Sequence, residues 1–563
     1  MEMPAEMNWS FLSPQHLNLL SILLLCALFA VPMSSCGSGG NGNESGRTEY
    51  RTIDGSGNNL RSPQMNKAGA QFVRLARPAY ADGISSFAGP RRPNPRNISN
   101  IVHSQEELIS NPDSTTNFMW LWGQFIDHDV TFTDDFRNDP ANIKIPNGDE
   151  IFDPQGTGTA EIFFNRSVHD PDTGTAIDNP RQQINAVTGW IDASTVYGSD
   201  TIRANALRTN DGTGKLKTSD GNFLPYNEQQ FRNSRFQFST FFLAGDERAN
   251  ENIGILSIQT LFMREHNRFA EEIASQNPDL SGEEIYQRTR RIIGAQIQAI
   301  TYNEFLPRLL GPDALPPYSG YDDSTPSGIA NVFTSAAFRV GHTFLDPEIP
   351  LVDAQGNETR AVALKDAFFK PEIVEDEGID SILRGFATSK HQRVDAFIVD
   401  DVRNFLFIDI FPTGAPSLQG LDLVTLNIHR GRDHGLPSYN DMREELGLER
   451  KESFSYITSD PDVERRLREA YGTSEDGTDN TDNMDIWSAG IVEDRYGKSM
   501  LGELFHTIIS HQFRVLRDGD RFWYQRTLSP EELKEVRETK LADIIRRNTE
   551  IGEEIGDDVF VIE

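Results

Sequence analysis

Hydrophobic residues recur at helical spacing along most of the chain, and this pattern predicts its main elements. A helix over 251–275 is predicted by a stripe of residues three to four positions apart, Glu251, Ile255, Ile258 and Phe262. A capping-box pattern at 281–284 predicts a second helix that runs to about Phe305 and stops at Pro307. The same spacing predicts helices over 114–128, 380–389, 460–470, 499–516 and 530–547. Strand patterns are few and short, so we expect a mainly α fold, with a single large helical domain over residues 49–560 and few short strands.

The N-terminus carries an apolar run of the length of an export signal. Residues 17–32 are apolar but fall short of a membrane span, and they lead to Ser34-Ser35-Cys36. Small residues before a cysteine resemble a lipoprotein cleavage site. We therefore expect residues 1–36 to be a signal peptide, with a lipid anchor at Cys36, plain secretory cleavage and a retained anchor helix all left open. Residues 37–48 are rich in Gly, Ser and Asn and are expected to form a flexible linker. The mature protein is then expected to be secreted or held at the cell envelope, without a transmembrane span.

The composition narrows the classes of partner and of metal site. Lys and Arg total 53 and Asp and Glu total 85, which gives a formal net charge of −32. A nucleic-acid partner needs clustered positive charge, so we expect none. The two cysteines, Cys26 and Cys36, both lie near the N-terminus. The rest of the chain therefore has no disulfide and no thiolate ligand, and any metal there must be held by nitrogen or oxygen atoms.

The first cluster of candidate functional residues lies on the predicted helix over 114–128. Gln124, Asp127 and His128 share one face at positions i, i+3 and i+4, whereas Asp129 points to another side. The helix thus offers an imidazole, an amide and a carboxylate to one site and a second carboxylate elsewhere. Alone, the same pattern is typical of a hydrogen-bonded histidine at a partly exposed helix end.

A second cluster follows at residues 188–194. Its hydroxyl, backbone and carboxylate oxygens come from Thr188, Trp190, Asp192 and Ser194, and such hard ligands are those that Ca²⁺ prefers. Asp129 could complete this set from the helix. Alone, the segment is equally typical of a polar turn closed by Asx and Ser hydrogen bonds.

Three further clusters lie later in the chain. Arg248 and Glu251 form an i,i+3 pair at the start of a helix, which is also typical of a surface ion pair. His342 follows Gly341 in an apolar context that equally suits a core histidine. Residues 426–435 form a dense polar run between apolar segments. None of the clusters identifies a function by itself.

Together and in this order, the clusters resemble the animal-type haem peroxidases, of the peroxidase–cyclooxygenase superfamily that includes myeloperoxidase and lactoperoxidase. The resemblance extends from Tyr80-Ala81-Asp82-Gly83 to Asn548-Thr549 and includes residues 264–268, 483–487 and 518–523. It implies a haem-peroxidase domain that binds haem b and Ca²⁺. It also implies an enzyme in which hydrogen peroxide converts the haem to an oxyferryl intermediate, which then oxidises a halide, thiocyanate or phenolic donor.

The resemblance assigns roles on the peroxide-binding (distal) face of the haem. His128 matches the distal base, Arg248 the distal arginine, and Gln124 a hydrogen-bond partner for peroxide or halide. Asp127 and Glu251 match the two carboxylates that become ester-linked to haem methyl groups. All five lie in motifs that were noted above on chemical grounds alone.

On the opposite (proximal) face, His342 matches the ligand of the haem iron and Asn427 its hydrogen-bond partner. Arg339 and Arg430 match arginines near the haem and its propionates. The residues that match calcium ligands are Asp129, Thr188, Trp190 through its carbonyl, Asp192 and Ser194.

Two other readings of the resemblance remain open. One is a fatty-acid dioxygenase of the same fold; such enzymes have a radical-forming Tyr three residues before the proximal His, where this chain has Arg339. The other is a cell-surface binding module that keeps the fold as a scaffold, although both distal residues are present. Asn252 stands where myeloperoxidase has a haem-linked Met, so no sulfonium link is expected. The lack of disulfides suggests a bacterial-type relative.

Overall fold

The computed structural model describes residues 49–135, 139–234, 236–408 and 420–562. The predicted signal peptide (1–36) and linker (37–48) lie outside the described residues. Tyr50–Glu563 form one compact unit. Its α-helices are α1 Pro95–Val102, α2 Phe118–Val130, α3 Ser194–Tyr197, α4 Thr201–Leu207, α5 Ile253–Gln276, α6 Gly282–Ile300, α7 Leu306–Leu310, α8 Asn331–Ser335, α9 Pro371–Thr388, α10 Asp400–Arg403, α11 Leu423–Asp433, α12 Tyr439–Glu445, α13 Pro461–Tyr471, α14 Ile486–Val492, α15 Glu503–Asp518, α16 Tyr524–Thr527, α17 Pro530–Glu538 and α18 Leu541–Asn548.

Strands are short and come in two antiparallel pairs within the described ranges. β1 (Ile143–Lys144) pairs with β2 (Glu161–Ile162), and β3 (Glu348–Val352) pairs with β4 (Glu358–Ala363). The register of the second pair shifts between Leu351 and Val352. The expected mainly α fold with few short strands is confirmed.

Helix α2 is buried on nearly all sides and runs through the core. Most of its residues are fully buried, among them Met119, Trp122, Phe125 and Ile126. A helix that is apolar all round needs neighbours on every side. Here they include α3, α5 and the 3₁₀ segment Ala337–Thr343. His128 and Asp129 are therefore buried within the core, whereas Gln124 and Asp127 are only partly buried.

The predicted boundaries are correct at one end of α6 and wrong at the other. The side chain of Ser281 accepts a hydrogen bond from the Glu284 amide while Glu284 accepts from the Ser281 amide, so the capping box is confirmed. Pro307 does not stop the chain. A π-helical turn, Thr301–Phe305, passes directly into α7, and Pro307 lies in the first turn of α7, where no amide hydrogen is required.

Two other predicted helices differ from the structure in extent. The region 530–547 contains two helices, α17 and α18, each with its own N-terminal capping bonds. The region 380–389 is the second part of α9, which bends at Gly378, where φ is 72°. Hydrophobic spacing alone continues across such breaks, because the apolar face resumes on the far side.

Candidate active site

His128 lies near the C-terminal end of α2 and is 3% exposed. Its Nδ1 is 3.6 Å from Asp246 Oδ1, and its Nε2 is 3.8 Å from Glu251 Oε2. Within the described residues, Nδ1 has no hydrogen-bond partner. Burial, followed by the positive charge of Arg248, lowers the pKa of His128 to about 3. The imidazole is therefore neutral at neutral pH and can accept a proton.

Arg248 is fixed by hydrogen bonds on two sides. Its Nε and Nη2 donate to the two carboxylate oxygens of Asp246 at 2.9 and 2.8 Å. Nη2 also donates to the backbone carbonyls of Thr131, at 2.9 Å, and His128, at 3.1 Å. Nη1 is 3.6 Å from Asp127 Oδ2. The guanidinium therefore caps the C-terminal end of α2 and stands beside His128.

Asp246 also belongs to this cluster, although the sequence patterns did not single it out. It is 2% exposed, and its amide donates to the Thr195 carbonyl at 3.0 Å. Burial opposes ionisation most strongly, but the charge of Arg248, the nearby His128 and the hydrogen bonds from Arg248 together lower the pKa of Asp246 below its ordinary value. One signal was available in the sequence: a buried arginine needs a carboxylate, and Asp246 stands two residues before Arg248.

Asp127 and Glu251 are the more exposed carboxylates of this cluster. Their side chains are 31% and 25% exposed, against 1% for Asp246, so they border its open side. Burial raises the pKa of Asp127 to about 6. Gln124 lies one turn earlier on α2, and its Oε1 accepts a hydrogen bond from Asn252 Nδ2 at 3.0 Å. The structure thus gathers all five distal residues that the sequence singled out.

His342 and Asn427 meet although 85 positions separate them in the chain. The Asn427 amide nitrogen is 2.8 Å from His342 Nδ1, and its oxygen accepts from Arg339 Nη1 at 3.0 Å. Burial lowers the pKa of His342 to about 3. In this arrangement Nδ1 accepts a hydrogen bond. A metal bound at Nε2 requires the proton on Nδ1 instead, and the amide must then present its oxygen.

The segments that carry His128 and His342 are joined directly. Thr131 Oγ1, next to the end of α2, is 2.7 Å from Thr334 Oγ1 on α8. Thr334 in turn accepts a hydrogen bond through its carbonyl from Arg339 Nε at 2.9 Å. The charges of Arg248 and Arg339 both oppose the burial-raised pKa of Asp127. The two candidate faces therefore border one region of the molecule.

Arg430 lies on α11 and is held partly by the chain that precedes residues 188–194, the predicted calcium loop. Its Nη1 donates to Ser167 Oγ at 2.7 Å, the Asn165 carbonyl at 3.0 Å and Asp433 Oδ2 at 3.2 Å. Burial, and then the charge of Arg430, lowers the pKa of Arg339 to about 10. Two neighbouring arginines thus create a positive region, which suits an anionic group.

The five residues predicted to bind calcium come together beside α2. Asp129 is fully buried; its Oδ2 accepts from the Asp192 amide at 3.0 Å, and its carbonyl accepts from Ser194 Oγ at 2.8 Å. Thr188 Oγ1 donates to Asp192 Oδ1 at 3.0 Å. The Trp190 indole is buried and donates to the Gly55 carbonyl at 3.2 Å, so only its backbone is available as a ligand.

These five residues, called here the predicted calcium cluster, suit a cation because they include two carboxylates and a buried oxygen without a hydrogen-bond partner in the part of the molecule that the structure describes. Asp192 Oδ2 is buried and has no hydrogen-bond partner among the described residues. Burial, and then the charge of Asp192, raises the pKa of Asp129 to about 7. No group of three or more His, Cys, Asp or Glu side chains gathers as a metal site in the described part of the chain. A cation here would therefore depend on hydroxyl and carbonyl oxygens together with the two carboxylates.

The chain is similar to known proteins over nearly its whole length. The family model "Animal haem peroxidase" matches residues 50–560. Peroxinectin A of Dictyostelium discoideum is 34% identical, with 89% of this chain and 93% of that protein covered. The human peroxidasin homologue is also 34% identical, but the chain spans only 39% of its length. The solved structure of peroxidase A from Dictyostelium discoideum matches with a TM-score of 0.82 and 32% identity, over 92% of this chain and all of that one.

A fatty acid alpha-dioxygenase from Arabidopsis thaliana shares the fold. It matches with a TM-score of 0.76 over 91% of this chain and 83% of that one, at 18% sequence identity. At this identity the likeness concerns the fold alone.

Proposed function

The chain belongs to the animal haem peroxidase family, and from that membership we propose that it is a peroxidase that binds haem b and uses hydrogen peroxide to oxidise a halide, thiocyanate or phenolic donor. One observation carries this proposal: the neutral, buried imidazole of His128 stands beside the fixed guanidinium of Arg248, next to the segment that carries His342. These are the groups that peroxide cleavage needs.

The residues present fit a haem group. His342 would hold the iron through Nε2, and Arg339 and Arg430 would meet the propionates, because together they form the positive region described above. Asp127 and Glu251 border the open side of the cluster and would form the ester links. When bound, the haem supplies the redox centre that takes up the oxidising equivalents of peroxide.

The distal residues divide the chemistry of peroxide cleavage between them. His128 accepts a proton from one peroxide oxygen and returns it to the departing oxygen, a form of acid–base catalysis worth about 10²–10⁴-fold. Arg248 stabilises the negative charge that grows on the departing oxygen. It can do so at any working pH, because a guanidinium held by a carboxylate keeps its proton.

On the proximal side, Asn427 controls the proton on His342. Its amide oxygen would accept from Nδ1 and so leave Nε2 available to the metal. A neutral amide withdraws less of that proton than a carboxylate would. The ligand is then less anionic, which favours the oxidation of difficult donors.

We also propose that Ca²⁺ binds at Asp129, Asp192, Thr188, Ser194 and the Trp190 carbonyl. The orphaned Asp192 Oδ2 and the shared hydroxyl contacts support this assignment. Asp129 directly follows His128, so an ion at this site would hold the imidazole in place without taking part in the chemistry.

A peroxidase is favoured over the two alternatives. A dioxygenase would be expected to carry a radical-forming tyrosine where this chain has Arg339, and an arginine side chain cannot take that role. A binding module that only keeps the fold would have no need for the fixed pair of His128 and Arg248. Oxygen uptake with linoleate in the absence of peroxide would favour the dioxygenase.

The proposal is tested with purified, haem-loaded protein. We expect peroxide-dependent oxidation of iodide and of guaiacol, and a loss of about 10²-fold or more in His128→Gln. Protein that binds haem but oxidises neither donor would overturn the proposed function. Rates across iodide, bromide, chloride, thiocyanate and tyrosine then identify the donor class.

Export remains a prediction from residues 1–48, with a lipid anchor at Cys36, free secretion and a retained anchor helix as its three forms. Among the helices of the described ranges, none has the length and apolarity that crossing a membrane requires. Fractionation of cells that express the full chain, with mass analysis of the mature N-terminus, separates the three forms. Protein that stays in the cytoplasm with residues 1–48 intact would contradict export.

A further inference from the structure

One buried carboxylate contacts both members of the distal pair. Asp246 binds Arg248 through both of its oxygens, and the same Oδ1 that receives Nε of Arg248 lies 3.6 Å from His128 Nδ1. That separation is longer than a hydrogen bond but short for a charge in a buried site. Asp246 therefore acts on the imidazole through its field and on the guanidinium through direct bonds.

The imidazole of His128 lies between two carboxylates, and they are not equivalent. Glu251 is 3.8 Å from Nε2 on the other side of the ring, but its side chain is 25% exposed, so solvent screens its charge. Asp246 is 1% exposed and is kept ionised by Arg248. The field at the ring is then dominated by Asp246, and it favours the tautomer that carries its proton on Nδ1.

The backbone of Asp246 is held against the calcium loop. Its amide donates to the Thr195 carbonyl, and Gly245 packs so closely on α3 that a Cβ there would lie 2.3 Å from the Ser194 carbonyl oxygen. Only glycine permits this approach. The position of the carboxylate is therefore fixed from behind by the backbone as well as in front by Arg248.

We propose that Asp246 is the positioning residue of the distal pair: it fixes the guanidinium of Arg248 and selects the His128 tautomer that has its proton on Nδ1. The role rests on the proposed function, because this tautomer leaves the Nε2 lone pair to accept a proton from peroxide. The tautomer with its proton on Nε2 would have no lone pair there to accept a proton from peroxide.

The tautomer is measured by NMR on protein labelled with ¹⁵N-histidine, studied as the diamagnetic ferrous carbon monoxide complex. The chain has 11 histidines, and His128→Gln assigns the relevant signals. In the wild type we expect the proton of His128 on Nδ1. In Asp246→Asn, whose amide can donate to Nδ1, we expect a shift to the Nε2–H tautomer and a reaction with peroxide slowed about 10²-fold or more.

Asp149→Asn is the matched control. Asp149 is likewise a buried partner of an arginine, with Arg96 Nε at 2.8 Å and Nη2 at 3.3 Å, but it contacts no residue of the candidate site. We expect a comparable loss of stability with an unchanged His128 tautomer and unchanged reaction with peroxide. A loss of activity in Asp149→Asn equal to that in Asp246→Asn would reduce Asp246 to a structural residue.

The wild-type spectrum alone can overturn the proposal, even if Asp246→Asn does not fold. A His128 proton found on Nε2 would contradict the tautomer assignment. If the chain bound no haem, the proposed function would fail, while the spectrum of the haem-free protein would still report the tautomer. The two failures are thus distinguishable.

Discussion

Two buried acidic clusters meet at the C-terminal end of α2, and they balance their charge in opposite ways. In the distal cluster, formed by His128, Asp246 and Arg248, burial favours the neutral carboxyl, but the charge and hydrogen bonds of Arg248, with His128 nearby, together lower the pKa of Asp246. In the calcium cluster, burial and the neighbouring Asp192 raise the pKa of Asp129 to about 7. The charges of Arg290 and Arg51 act on Asp192, but burial outweighs them and its pKa is raised as well.

The comparison shows that burial does not by itself determine the state of a carboxylate. The distal cluster contains its own cation and is complete within the chain, which suits a site whose geometry must be ready before a substrate arrives. In the predicted calcium cluster, the negative charge of the two carboxylates is not balanced by a cation bonded to them, so under the proposed assignment an external ion completes it. The stability of the distal cluster should therefore change mainly on mutation, and that of the predicted calcium cluster mainly with the calcium concentration and pH of the solution.

The largest expected effect comes from removing Arg248, the cation of the distal cluster. Arg248→Met leaves Asp246 buried without its partner, so we expect the free energy of unfolding to fall by about 3–5 kcal/mol, together with a loss of peroxide-dependent activity. Urea denaturation measures the first quantity. The double variant Asp246→Asn with Arg248→Met removes both charges and should recover much of the stability but none of the activity. A double variant no more stable than the single one would show that charge compensation is not what Arg248 contributes.

Removal of the external ion should have the next largest effect. Calcium at about 100 times its Kd stabilises the folded state by about 2.7 kcal/mol, so chelation should lower the Tm and added calcium should restore it. Asp129→Asn should lose this response and bind less haem, whereas Asp246→Asn should retain the response. If the Tm and the absorbance spectrum changed neither on chelation nor in Asp129→Asn, the calcium site would be contradicted.

The third prediction concerns pH in calcium-free protein. The pKa of Asp129 is raised in the folded state from the ordinary 3.8 to about 7, so the folded state binds this proton more tightly than the unfolded state does. Its contribution to stability is present at low pH and is lost as the pH rises toward 7. We expect the effect of added calcium on Tm to grow over the same range, because the ion takes the place of the proton. Asp129→Asn should flatten this dependence, and a calcium effect that is independent of pH would contradict the assignment.

The sequence predicted the longer helices and singled out most of the residues that the structure gathers into the candidate site, for separable reasons. Helices follow from local periodicity, and the pairing of His342 with Asn427 followed from motifs that resemble a family. Asp246 was missed because its importance comes from burial and from contact with His128, 118 positions earlier, which no local pattern records. Pro307 was misjudged because a π-helical turn let the chain enter a new helix at that point. Local rules therefore give the elements, and the three-dimensional packing decides which charges meet.

The smallest effect should come from one hydroxyl of the calcium cluster. Ser194 Oγ donates to the Asp129 carbonyl at 2.8 Å and is also a predicted calcium ligand. Ser194→Ala removes both roles: without calcium it should cost about 0.5–1.5 kcal/mol, the net worth of one hydrogen bond. With calcium it should weaken ion binding by roughly tenfold, equivalent to about 1.4 kcal/mol. Calcium titrations followed by Tm separate the two contributions, because only the second depends on ion concentration.

Thr195→Ser, which keeps its hydroxyl in the neighbouring position, is the control. If Ser194→Ala shifted the calcium-free Tm but left the titration midpoint unchanged, Ser194 would be a structural residue, and the external ion would be held by the two carboxylates and the remaining oxygens of the loop.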